Sequence, residues 1–163
     1  MTRREYQEAA ARTCPKLFNR AADNVHMIMG LVDEWDEYKF EIEQGADKDT
    51  IIKELGDIYW YLANYCRWNM IPFDRWRDVG FSYERCVARL TGIHKKELAY
   101  GKEFEYDEVN YYIQGILYWL DLECQEMDVA PSEIFERNIA KLAARFPDKF
   151  DADLAINKDE SKE

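Results

Sequence analysis

Residues 30–62 read GLVDEWDEYKFEIEQGADKDTIIKELGDIYWYL, and the fold turns on how this stretch is divided. Apolar residues recur at helical spacing on both sides of Gly45: Ile28, Leu31, Val32, Trp35, Tyr38 and Ile42 before it, then Ile51, Leu55, Ile58, Tyr59, Leu62 and Cys66 after it. The pattern predicts a helix over 21–44 that Gly45 ends, a cap at Asp47 or Asp49, and a second helix that stops before Pro72. Together they make a helical hairpin.

The hairpin carries two carboxylate pairs at one internal spacing, Glu34 with Glu37 and Glu54 with Asp57. Residues three apart lie roughly 60° apart around a helix, so each pair projects from one face. The pair midpoints, 35.5 and 55.5, fall ten residues either side of the turn centre at 45.5. At about 1.5 Å per residue all four acids are predicted to stand roughly 15 Å above the turn and to face one another. Two like charges about 5 Å apart repel by something like 3 kcal/mol at an effective dielectric near 20, so four converging acids need cations. Lys39 and Lys53 can supply part of that charge; a hard metal ion supplies it better. Oxygen ligands without histidine favour Mg²⁺ or Mn²⁺. Spacing alone leaves a solvated acidic stripe open, because ExxE is common on helices.

Working outward, residues 4–13 read as an amphipathic opening helix, and 74–100 as a third long helix interrupted by Gly80 and Gly92. Helices are predicted over 106–128 and 132–145, the last with Pro131 where a helix can begin. No stretch alternates as a strand does. The expectation is an all-α antiparallel helical bundle, one domain over 1–150 with 74–130 as an inserted helical pair, and a polar tail over 151–163. A composition of 47% hydrophobic and 34% charged residues is that of a folded protein, and a net charge of -11 disfavours nucleic acid or an anionic membrane as partner. No apolar run approaches a membrane span and the first residues lack a signal-peptide core, which points to the cytoplasm. Cys14, Cys66, Cys86 and Cys124 form no CxxC and read as reduced, mostly buried thiols.

A weak internal echo links GDIYWYLANYC at 56–66 with QGILYWLDLEC at 114–124, a shift of 58 residues. Under it Glu34, Glu37, Glu54 and Asp57 fall on Gly92, Lys95, Tyr112 and Gly115. A second hairpin related in this way has packing without acids.

HMIMGLVDEWDEY followed by KELGDIYWYL resembles the ExxE and ExxD signature of the MazG-like all-α nucleoside triphosphate pyrophosphohydrolases. NIAKLAARFPDKF at 138–150 is similar to the C-terminal segment of small phage-type members, and REYQEAAARTC to their opening helix. The resemblance implies hydrolysis of a nucleoside triphosphate to monophosphate and pyrophosphate, by attack of a metal-activated water on the α-phosphorus. It implies Mg²⁺, with Mn²⁺ as an alternative, held by Glu34, Glu37, Glu54 and Asp57. Asn138, Lys141 and Arg145 share one helical face and suit phosphate, with Lys53 beside them. His26 stands where such proteins often carry a histidine, and it can border the nucleotide or simply pack. Trp35, Trp60 and Tyr61 can stack on a base, although their spacing favours the core.

Two departures stand out. Asp33 and Asp36 precede the first two glutamates where the short proteins have small residues, and an extra helical pair separates Asp57 from Asn138. The duplication resembles dimeric dUTPases and leaves open whether Asn138 and Lys141 serve their own chain's acids or a partner's. A homodimer or larger is expected from the large rings Trp60, Trp68, Trp76, Tyr111, Tyr112, Tyr118 and Trp119, more than one bundle interior readily takes. Of the competing readings, a di-iron bundle needs two Glu-x-x-His pairs, and the chain's nearest approach is Asp23-x-x-His26. A non-catalytic acidic protein that binds nucleotide or a partner is the remaining alternative.

Overall fold

A left-handed backbone at Gly45, φ 70°, ends the first long helix, and the Asp47 carboxylate starts the next by accepting the backbone N–H of Thr50. The result is the hairpin of α2 (Arg20–Gln44) and α3 (Lys48–Asn69). The computed structural model describes residues 1–156. Within them lie α1 (Arg3–Ala10), continued by a 3₁₀ turn at Ala11–Thr13, then α4 (Tyr83–Tyr100), α5 (Tyr106–Glu126), α6 (Pro131–Arg145) and the short α7 (Ala152–Ile156). There is no strand among the described residues, and the fold is all-α. Of the expected polar tail, 152–156 form α7 and 157–163 lie outside the described residues.

α2 packs on α3 and on α4, α4 on α5, while α1 and α6 lie together against α3. Each start has a local cause. Thr2 and Glu5 close a capping box on α1, Ser82 accepts from the N–H of Arg85 on α4, and Pro131 opens α6. The helix predicted over 74–100 begins only at Tyr83. Gly80 sits at φ 72° and breaks the path, and residues 71–82 instead fold across α5. There the Tyr111 hydroxyl donates to the Val79 carbonyl at 2.8 Å and the Trp119 indole N–H to the Phe81 carbonyl at 2.7 Å.

This crossing segment takes up three of the large rings, Tyr111, Tyr112 and Trp119. Tyr112 is buried; Trp60, Trp68, Tyr111, Tyr118 and Trp119 are half-buried; Trp76 stays exposed at 45%. The core they border holds Leu31, Ile58, Tyr59, Leu62, Ile113, Ile116, Leu117 and Leu120, each contributing about 1.5–3 kcal/mol by leaving water. Val32 and Ile42, predicted inside, are 53% and 40% exposed. Val32 lies with Met29 and Phe40 on the outer flank of α2, whereas Ile42 continues the face of Trp35 and Tyr38 and is exposed in the helix's last turn, next to the end at Gln44.

The second helix of the later hairpin keeps the register of α3. Adding 58 to the bounds of α3, 48 and 69, gives 106 and 127, and α5 runs from 106 to 126. All four cysteines are free thiols, and Cys66, Cys86 and Cys124 are buried.

Candidate metal centre

Two glycines let the helices close in around the acids. A Cβ on Gly30 would overlap the Tyr61 ring, and one on Gly56 would stand 3.0 Å from Cβ and 3.1 Å from Nδ2 of Asn138. Gly30 thus brings α3 against α2, and Gly56 brings α6 against α3. Between these contacts opens a cleft of about 690 Å³, within the roughly 300–1,000 Å³ of small-molecule sites.

Glu34, Glu54 and Asp57 meet in it, each offering a carboxylate oxygen within 4.8 Å of the others. Glu37 lines the same cleft from an exposed position outside that trio. All four acids line one cleft, but three of them converge where four were expected to face one another. Glu41, one turn beyond Glu37, also reaches the cleft. Its spacing of four from Glu37 and seven from Glu34 puts it on their helical face.

The electrostatics follow from burial and crowding. Burial, then the charges of Asp57, Glu37 and Glu54, push the Glu34 carboxyl up to about 8. Glu54 is raised as well, by burial first and by Asp57 second. Such a site resists holding three negative charges. One built-in cation answers it: Lys141, its side chain 9% exposed, places Nζ 2.5 Å from Asp57 Oδ2. The Asn138 amide donates to the other Asp57 oxygen at 3.0 Å. Both α6 residues therefore reach the acids of their own chain, although α4 and α5 stand between them in sequence.

Lys39 does not join them. It pairs with Glu123 of α5 at 3.0 Å and lies over the Trp35 ring, on the opposite flank of α2. Trp35 is a core residue, stacked on Tyr83 at 3.9 Å with its indole N–H donated to Glu84. Lys53 is exposed at the cleft mouth, and Arg145 lines it half-buried. Trp60 and Tyr61 line the wall, Trp60 tied through its N–H to Thr13 at 3.0 Å. His26 is there too, edge-on to Tyr61 at 5.8 Å. Its Nδ1 is buried without a hydrogen-bond partner, and burial lowers its pKa. The other histidine is occupied elsewhere: His94 sits between the Tyr65 hydroxyl and the Glu97 carboxylate, 2.6 Å from each.

The donor set suits a hard divalent cation: carboxylate oxygens that repel one another, no histidine or thiolate among them, and basic side chains at the rim. Among the described residues no helix is long and apolar enough to cross a membrane. No protein-family model, no curated protein and no solved structure matches the chain.

Proposed function

We propose that the chain is a MazG-like nucleoside triphosphate pyrophosphohydrolase, acting in the cytoplasm as a homodimer or larger assembly. It hydrolyses a (deoxy)nucleoside triphosphate to the monophosphate and pyrophosphate. The observation that carries this reading is the convergence of Glu34, Glu54 and Asp57 in one cleft with Lys141 and Asn138 already on Asp57.

Glu34, Glu54 and Asp57 are the residues that would hold Mg²⁺ or Mn²⁺, with Glu37 beside them. Bound there, the ion supplies Lewis-acid activation of water and of the phosphate oxygens. The remaining work belongs to the chain's own side chains. Lys53, Lys141 and Arg145 offset the negative charge of the triphosphate as it enters an acidic cleft. Lys141, paired with Asp57, stands beside the acids and so beside the reacting phosphate. His26, Trp60 and Tyr61 wall off the sugar and base and keep bulk water out.

The test is a panel of all (d)NTPs with Mg²⁺, separating monophosphate plus pyrophosphate from diphosphate plus phosphate. The reading expects equimolar monophosphate and pyrophosphate from at least one of them, lost on chelation. Diphosphate as the product, or no turnover of any, would overturn it.

A further inference from the structure

Asp57 is the best-held of the three converging acids, and the group that holds its holder lies on α1. The Tyr6 hydroxyl is fully buried, 2.8 Å from Oδ1 of Asn138 and 3.2 Å from the Gly56 carbonyl. The Asp57 carboxylate only accepts, so it fixes Nδ2 as the end of the Asn138 amide that faces it and leaves Oδ1 for the Tyr6 O–H, whose single proton takes the shorter of its two contacts. Nδ2 stands 3.0 Å from Asp57 Oδ1. Were the amide turned over, two oxygens would face each other at Asp57, and the Tyr6 proton would be left to the longer contact with the Gly56 carbonyl. The Asp57 end decides the orientation, and the 2.8 Å contact to Tyr6 is consistent with it.

We propose that Tyr6 is a positioning residue for the metal centre: through Asn138 it fixes the direction of the Asp57 carboxylate. The inference rests on the metal reading of the cleft. The chain passes from α1 through α6 to α3, and nothing in it touches substrate except at its far end. Packing supports the same arrangement, since the Tyr6 ring stacks on Phe135 of α6 at 4.4 Å. Gly56 leaves only enough room for Asn138 to come in from that side. Groups behind a metal ligand typically cost 10- to 100-fold in metal affinity when removed.

The experiment is Mn²⁺ titration of the full chain, read by the paramagnetic resonance signal of free Mn²⁺, on wild type, Tyr6→Phe, Asn138→Ala and the double variant. Tyr6→Phe keeps the stacked ring and removes only the O–H. The expected result is a loss of about tenfold in Mn²⁺ affinity, with no further loss when Tyr6→Phe is added to Asn138→Ala, because the two act in series. Wild-type affinity in Tyr6→Phe, or full additivity in the double variant, would overturn the proposal. A wild type that binds no Mn²⁺ sinks the metal reading itself. The relay is then judged by nuclear magnetic resonance: the Asn138 side-chain amide protons should exchange slowly in wild type and faster in Tyr6→Phe. Equal exchange in the two would refute it.

Discussion

In the hairpins α2–α3 and α4–α5 the second helices share a register, yet one hairpin opens into an acidic cleft and the other is sealed. At the position of Asp57 the second hairpin has Gly115, and a Cβ there would meet Val79 Cγ2 at 2.5 Å and Cys86 Sγ at 2.8 Å. At the position of Glu54 it has Tyr112, 9% exposed and stacked on Phe81 at 6.3 Å. The segment 71–82 fills on α5 the face that α3 leaves to solvent and α6. The lesson is that the same backbone gives a site or a core depending on what stands opposite its third turn. Acids there demand a counter-charge and leave a cavity; a glycine and a tyrosine invite a loop to close over them.

The largest expected effects follow from that difference. Glu54→Gln or Asp57→Asn is expected to abolish pyrophosphate release while the far-ultraviolet circular dichroism stays that of wild type. Activity near wild type in either would break the contrast. The same kind of change on the sealed side is expected to act on stability instead. Gly115→Ala forces a methyl into Val79 and Cys86 and should cost about 1–3 kcal/mol in urea unfolding, with Mn²⁺ affinity kept.

Protonation sharpens the comparison further. Glu34 is raised to about 8 and Glu54 is raised too, so the folded chain holds protons that the unfolded chain has released. Their contribution to stability is complete below the ordinary carboxyl value of 4.5 and is lost as pH rises from there through about 8. His26 and His94, both lowered from 6.5, act with the opposite sign below that pH. Between pH 6.5 and 8 the metal-free protein is therefore expected to lose stability with rising pH. Glu34→Gln, or saturating Mg²⁺, should flatten that slope; an unchanged slope in Glu34→Gln would show that the acids are not coupled. The smallest effect belongs to the far turn. Glu103→Lys and Glu105→Lys, both exposed, are expected to leave Mn²⁺ affinity unchanged at physiological salt, where the screening length is about 8 Å.

The same pair of hairpins marks what a sequence discloses. Gly45, Asp47 and Pro131 act through their own backbone and side chains, so the bounds of α2, α3 and α6 were legible before any packing was known. Periodicity located the apolar stripe of α2 but not its width. Val32 sits at its edge and Ile42 in its last turn, and only the placement of the neighbouring helices decides that both meet water. Residues 74–82 carry enough large side chains to read as helix, and the left-handed Gly80 with the Ser82 cap shows that they are instead the cover of α5. At the site, counting residues from the turn gave the height of the acids. It could not give rotation about each axis, which is why Glu37 stands outside the trio and Lys39 faces α5. Tyr6 carried no spacing signal, because its partners lie 50 and 132 residues away.

The most direct test of the central claim, hydrolysis at the α-phosphorus in the α2–α3 cleft, is turnover of the best (d)NTP in ¹⁸O-labelled water with Mg²⁺, followed by mass spectrometry of both products. The account predicts one ¹⁸O in the nucleoside monophosphate and none in pyrophosphate, with no labelled product from Asp57→Asn. Label in the pyrophosphate, or in inorganic phosphate beside a nucleoside diphosphate, would contradict it.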